Sequence, residues 1–225
     1  MLNYLRFLVG AKHLPLEASR FSFRGDRSPR LRAAKTIALV GNGPLREGQA
    51  TKIKACDAVI RFNTASNSGK ASGYQTDVLV LVNHDWRRMA RHSWQINLPV
   101  VLAAKEIWLP IDPQLMDQMD GVDDGPNVRN FSYSILERHG RFKPVRTVPA
   151  ETYKAMAHEV GRRGGVPSSG LIVAGYLRQY YPAAQLNLFG FGHQGIHVHD
   201  WELERAAIDR MIRTGGVTRH PVGDS

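Results

Sequence analysis

Four short segments with apolar runs closed by glycine or asparagine constrain this chain most: "KTIALVGNGP" at 35–44, "DAVIRFN" at 57–63, "TDVLVLVN" at 76–83 and "AQLNLFGFG" at 184–192. Runs this short, apolar throughout and bounded by turn residues, read as strands buried on both faces, the pattern of parallel sheets. Between them lie stretches with helical spacing: 45–56, "FSYSILERHG", "ETYKAMAHEVGRRGG" stopped by Gly164 and Gly165, "PSSGLIVAGYLRQYYP" opened by Pro167 and serines, and "DWELERAAIDRMIR". "KPVRTVP" fits a further short strand, and "LPVVLAA" and "EIWLPI" are further apolar segments. Alternation of this kind predicts a single α/β domain, a mostly parallel Rossmann-type sheet with helices on both faces. The expected division is a basic arm over 1–34, the α/β domain over 35–213 and a flexible tail over 214–225. The stretch 112–130, acidic and glycine-rich, reads mostly as loop, and "HDWRRMARHSW" as a basic helix.

Composition narrows the functional classes. The formal net charge of +10 calls for an anionic partner: nucleic acid, an anionic membrane surface or a polyanionic substrate such as a nucleotide-activated sugar. Part of the excess sits in the arm, where Arg6, Lys12, Arg20, Arg24, Arg27, Arg30, Arg32 and Lys35 meet only Glu17 and Asp26. No nucleic-acid-binding signature accompanies the charge, so nucleic acid is not the expected partner. One cysteine, Cys56, allows no intrachain disulfide and points to a reducing cytoplasm. No apolar run is long enough to span a bilayer. "MLNYLRFLVGAK" reads either as a flexible basic arm or as a short segment in peripheral contact with the inner membrane face.

In an open parallel sheet, ligands bind beyond the carboxyl ends of the strands, and the chemistry-bearing motifs fall there. "VGNGP" lacks both the G-x-G-x-x-G spacing and the lysine of a P-loop. Its Gly43 still permits a close backbone approach, and Asn42 brings donors and an acceptor; a plain strand-to-helix turn explains it equally. Asn63 stands at the next strand end, facing a ligand or capping its loop. Ser168, Ser169 and Gly170 open a helix whose free N–H groups suit a phosphate or carboxylate, or simply form an ordinary serine cap. "FGFGHQGIHVHDWELE" carries His193, His197 and His199 with Glu204 behind them. His197 and His199 form an H-x-H pair, but the further ligands of a metal site are missing from the expected spacing, so no metal is expected. Solvated loop histidines are the plain alternative.

Together these segments resemble the eukaryotic-type sialyltransferases, glycosyltransferase family 29. "LVGNGPL…CDAVIRFNTAS" follows that family's large motif, and "PSSGLIVAGYLRQYYPAAQLNLFGFG" its small motif and the strand behind it. "HDWELE" supplies the closing H-x-x-x-x-E as His199 and Glu204. The likeness covers residues 37–83 and 167–204. It departs at Ile37, which stands where animal members have a disulfide cysteine, at Ser169, which replaces a threonine, and at the aromatic His-Tyr motif, which is absent or collapsed into "HQGIHV".

The resemblance implies a GT-A-like variant fold of bacterial, cytoplasmic type. It implies an inverting, metal-independent transferase that moves an acidic sugar such as sialic acid from a CMP-activated donor to a hydroxyl of a glycan acceptor, lipid-linked or polysaccharide, without a cofactor. On this carry-over His199 is the base that takes the acceptor's proton, and imidazole, with an unperturbed pKa of about 6.5, suits the task. Glu204 orients the ring or steadies its helix. Asn42 and Asn63 contact CMP; Ser168, Ser169 and Gly170 form the donor-binding turn, and Gly192 ends the pocket floor. His193 and His197 are candidate phosphate donors in place of the missing aromatic motif. The collapsed motif also favours a second reading, a nucleotide-binding or sensing module that keeps the fold and has lost transfer.

Overall fold

The computed structural model describes residues 23–24, 27–85, 97–119, 129–161, 166–193 and 199–223. Nine strands and eight helices alternate along them: α1 Pro29–Arg32, β1 Thr36–Val40, α2 Gln49–Lys54, β2 Ala58–Phe62, β3 Val78–Val80, β4 His84–Asp85, α3 Leu98–Ala103, β5 Glu106–Leu109, α4 Pro113–Met119, β6 Arg129–Asn130, α5 Ser132–His139, β7 Val145–Thr147, α6 Ala150–Val160, α7 Ser169–Tyr180, β8 Gln185–Phe189, α8 Trp201–Arg213 and β9 Val217–Arg219. Seven strands form one sheet in the order β7-β5-β3-β2-β1-β8-β9, and every pairing in it is parallel. β4 and β6 form a separate antiparallel pair, with His84 opposite Asn130.

The period of two in each strand divides its side chains between two cores. Ile37 and Leu39 of β1 face a core completed by α1, α4, α6, α7 and α8; Ala38 and Val40 face one completed by Ile53 of α2. Leu79, Ile107 and Leu109 continue that second side against α3 and α5. β1, β2, β3 and β5 are therefore buried on both faces, as their unbroken apolar runs predict. α7 is buried over seven consecutive residues, Leu171 to Leu177, which marks it as the central helix of its layer.

From β1 the chain steps one way to β2, β3, β5 and β7, then crosses back to lay β8 and β9 on β1's other side. The reversal falls between β1 and β8. The carboxyl ends of strands at such a reversal are where open parallel sheets bind ligands.

Several expectations meet differences. Within 112–130, read mostly as loop, Pro113 opens the helix α4 and Asp112 Oδ1 accepts from the backbone N–H groups of Gln114 and Leu115; an Asp-Pro start is a helix signal, and residues 120–128 lie outside the described residues. The flexible tail over 214–225 also does not hold as drawn. Gly215 and Gly216, at φ 88° and 76°, turn the chain back, and Val217–Arg219 pairs with β8 as the sheet's edge. Beyond it the Pro221 and Val222 carbonyls accept from Gln49 and Arg46. Within the basic arm over 1–34, α1 buries Leu31 in the core. His84 and Asp85 lie in a strand rather than the expected basic helix; the rest of that helix, residues 1–22, Gly164, Gly165 and His197 lie outside the described residues. Among the described residues no helix is long and apolar enough to cross a membrane.

Candidate active site at the sheet's switch point

The two glycine turns at the switch point hold each other. Gly41 N–H donates to the Phe189 carbonyl at 2.8 Å and Gly43 N–H to the Gly190 carbonyl at 3.1 Å. A Cβ on Gly43 would stand 2.6 Å from the Gly190 oxygen, and one on Gly190, at φ 68°, 2.9 Å from the Gly43 oxygen. The close approach for which "GNG" is built is thus first an approach of one backbone to another. Asn67, which the motif reading passes over, clamps the turn by donating to the Gly41 and Gly43 carbonyls at 2.6 and 3.0 Å.

Asn42 and Asn63 stand at neighbouring strand ends with their side chains turned to the loops. Asn42 Nδ2 donates to the Phe62 carbonyl at 3.2 Å and its Oδ1 accepts from Ser66 N–H at 3.0 Å. Asn63, left-handed at φ 51°, accepts from Val82 N–H at 2.9 Å. One step back, Arg61 is fully buried and donates to Ser72 Oγ and to the carbonyls of Ser72, Gly73 and Gln75, which shapes the loop behind both asparagines. Burial lowers its pKa to about 10.

The helix end that invites an anion receives one from the protein itself. Ser168 is the N-cap of α7, its Oγ accepting from Leu171 N–H. Its own N–H and Oγ donate to the two oxygens of Glu204 at 2.6 and 2.7 Å. Glu204 is 2% exposed; burial raises its pKa, and the Ser168 hydrogen bonds work against that rise. So Glu204 secures the start of α7, while Asp200 caps its own helix, α8, by accepting from Leu203 N–H.

That arrangement fixes His199. Its Nδ1 lies 2.7 Å from the Val166 carbonyl, which can only accept, so Nδ1–H donates there and Nε2 is the ring nitrogen outside that bond. The Glu204 carboxylate is 3.9 Å from the same Nδ1, too far for a hydrogen bond. Trp201 packs edge-on against the ring at 4.9 Å between centroids. The pKa of His84, the first residue of β4, is pushed down to about 4, mainly by burial and further by the charge of His199.

His193 belongs to a different group. Left-handed at φ 48°, it accepts through Nε2 from Arg219 at 3.3 Å, and Arg219 pairs with Asp209 at 2.8 Å. Burial and the adjacent Arg219 lower its pKa to about 4, so at neutral pH it offers an Nδ1–H and no charge. Gly170 leaves room for Phe191, whose ring a Cβ there would meet at 2.8 Å; Phe191 contacts both Phe62 and His193. Gly192 follows it, half-buried. Ser169 and Gly170 occupy the first turn of α7 beside the Glu204 carboxylate. Among the described residues no three or more His, Cys, Asp or Glu side chains gather as a metal site.

Sequence reasoning finds His199, Glu204 and Ser168, which the structure brings together, and misses His84, Trp201 and Arg219. His84 directly follows a strand-closing asparagine, the rule that singles out the other loops, but reads there as the start of a helix. Arg219 is hidden in the presumed tail.

The chain is 30% identical to the urease operon 23 kDa accessory protein of Rhizobium meliloti (strain 1021), in an alignment covering 87% of this chain and 97% of that one. It belongs to that protein's family. No protein-family model matches the chain. Among solved structures, this member of the accessory-protein family is similar to a sialyltransferase of Campylobacter jejuni in complex with the substrate analogue CMP-3FNeuAc, at TM-score 0.52 and 10% identity over 83% of this chain and 79% of that one. A mammalian sialyltransferase matches at TM-score 0.52 and 13% identity, over 99% and 85%. At these identities the likeness is one of fold: the chain shares the α/β architecture of these sialyltransferases.

Proposed function

We propose that this chain is an inverting, metal-independent glycosyltransferase that moves an acidic sugar from a CMP-linked donor to a hydroxyl of a glycan. The observation that carries the reading is the His199 ring, anchored through Nδ1 with Nε2 left as a proton acceptor, at the carboxyl edge of a parallel sheet shared with sialyltransferases.

The reaction asks for two acts. As the acceptor oxygen bonds to the anomeric carbon and the carbon–phosphate-oxygen bond breaks, the hydroxyl proton passes to His199 Nε2. Glu204, 3.9 Å away, stabilises the imidazolium that results. The electrons of the broken bond go to the CMP phosphate, for which Arg219 and the Nδ1–H of His193 supply a cation and a donor. Asn42, Gly43, Asn63, Ser169, Gly170 and Gly192 line the crevice for the donor, through amide and backbone groups left over from their internal bonds. Ser168 contributes by holding Glu204. The net positive charge suits a polyanionic donor.

A second reading, a nucleotide-binding or sensing module without transfer, draws on a specific observation: both asparagines and the α7 terminus already spend hydrogen bonds inside the chain. The accessory role in the relative's name fits that reading too. Thermal melting with CMP, CDP, UDP and GDP tests what both share: CMP raises the midpoint most, and a preference for UDP or GDP sinks the CMP assignment. CMP release from a CMP-sugar separates enzyme from sensor.

A further inference from the structure

At the end of the sheet opposite the switch point lies a cavity of about 530 Å³, within the range of roughly 300–1,000 Å³ typical of small-molecule sites. Leu31, Arg32 and Ala34, which lead into β1, form one side of it. Residues 180–184, which carry α7 into β8, form the other, and Arg27 completes the lining. β1 and β8 pair in parallel, so the cavity sits at the amino ends of the two strands whose carboxyl ends carry the glycine turns.

Its two cations are held in place and neither is neutralised. α1 is pinned twice, by Leu31 in the core and by Arg30, which pairs with Asp77 at 2.7 Å. Arg32 ends the same helix, is exposed, and has no ion pair among the described residues. Arg27 lies over the Tyr180 ring, 5.3 Å from its centroid, and Tyr180 Oη in turn donates to Glu151 at 2.8 Å. A guanidinium stacked on a fixed ring is oriented by it and keeps its N–H edge for a ligand. Glu151 itself does not line the cavity, and no other Asp or Glu does among the described residues. The Pro182 and Ala184 carbonyls, which would repel an anion, already accept from Arg178 at 3.2 and 3.3 Å. Exposed arginines are ordinarily solvated surface charge; these two open on one shared cavity from a pinned helix and a stacked position.

Two guanidinium groups without a carboxylate select an anion that accepts several N–H bonds at once, and a phosphate group offers three oxygens for them. Tyr180, Pro182 and the neighbouring alanines supply a wall for an organic body. We propose that this cavity binds a small phosphate ester, with its phosphate between Arg27 and Arg32. The site is separate from the proposed donor site, whose Arg219 ends β9 at the other end of the sheet, and it stands whether or not the chain is a transferase.

The test follows the arginine Nε–H signals of the 15N-labelled full chain by NMR, with Arg27→Lys and Arg32→Lys assigning the two. Inorganic phosphate, glycerol 3-phosphate or, at matched ionic strength, chloride is added. Both signals move along one saturable curve with phosphate, and chloride moves neither. Glycerol 3-phosphate gives the same paired response at lower concentration, because the wall takes its carbon body. Arg27→Gln weakens the response read at Arg32 about tenfold, the scale of one lost charge-assisted hydrogen bond. Arg219→Gln leaves that response within about twofold. Two unlinked curves, an unsaturable response, or an equal response to chloride make the arginines solvated surface cations and overturn the site. An ester that binds more weakly than inorganic phosphate overturns the assignment to an ester. Vesicles of phosphatidylcholine and phosphatidic acid separate a free ester from a lipid headgroup: the chain stays in solution, and sedimentation that Arg27→Gln abolishes would overturn the free ester.

Discussion

Glu204 holds more of the site together than any other residue. Its two oxygens fix Ser168 at the start of α7, and the same carboxylate lies beside the nitrogen by which His199 is anchored. Glu204→Gln gives up one acceptor and the charge together. The expected losses are about 1–2 kcal/mol of stability by denaturant unfolding and about tenfold in kcat from the weaker imidazolium field. An unchanged kcat at reduced stability would confine Glu204 to a structural role. Gly190 makes the companion test at the switch point. Gly190→Ala meets both a left-handed φ and two carbonyl oxygens at 2.9 and 3.0 Å, so it costs about 2–4 kcal/mol. Gly48→Ala, at φ 79° with open space around its Cβ, costs only the conformational part, about 1 kcal/mol; equal losses would refute the backbone-to-backbone account.

At the scale of elements, the sequence was most readable where one physical rule acted alone. Strands buried on both faces show as unbroken apolar runs, and the caps at Ser168 and the glycines after β8 mark their own boundaries. Legibility failed where a local signal was outweighed. Acidic, glycine-rich composition masked the Asp112 cap of α4, and a polar terminus with two glycines hid the edge strand β9, whose pairing comes from β8 and not from its own residues. The site shows the same division. His199 could be found from spacing, but what Asn42, Asn63 and Glu204 bond to could not, because their partners lie 19 to 36 positions away. Two predictions belong here. Ending the chain after Thr214 removes β9 and the Arg219 that holds His193, so both stability and CMP release fall; a truncated chain as stable and active as the full one contradicts the placement of β9. Buried His84, His139 and His193, with pKa values lowered to about 4, 3 and 4, bind protons less readily folded than unfolded. Their contribution is fully present above the unfolded value near 6.5 and is lost as pH falls from there through about 4. Thermal midpoints should drop steeply across that window, and His139→Gln should shallow the drop; a flat profile contradicts the buried neutral state.

On the scale of the whole molecule, one reversal of strand order decides where function can be. The turns after β1 and β8 lock against each other there through their glycines, and the starts of α7 and α8 bring Ser168, Glu204 and His199 together. A cluster of Arg219, His193 and Asp209 stands at the end of the neighbouring strand, and the proposed transfer would use the chain's excess positive charge to draw an anionic donor. The architecture is shared with sialyltransferases at low identity, and the sequence with a urease operon accessory protein. The direct test is the rate of CMP release from CMP-sialic acid by the wild-type chain and by His199→Ala, with CMP affinity measured on both. The account predicts release by the wild type, a fall in kcat of about a hundredfold or more in the variant, and CMP affinity that stays within about threefold. A wild type that binds CMP and never releases it from a CMP-sugar, or a variant that turns over as fast as wild type, would contradict it.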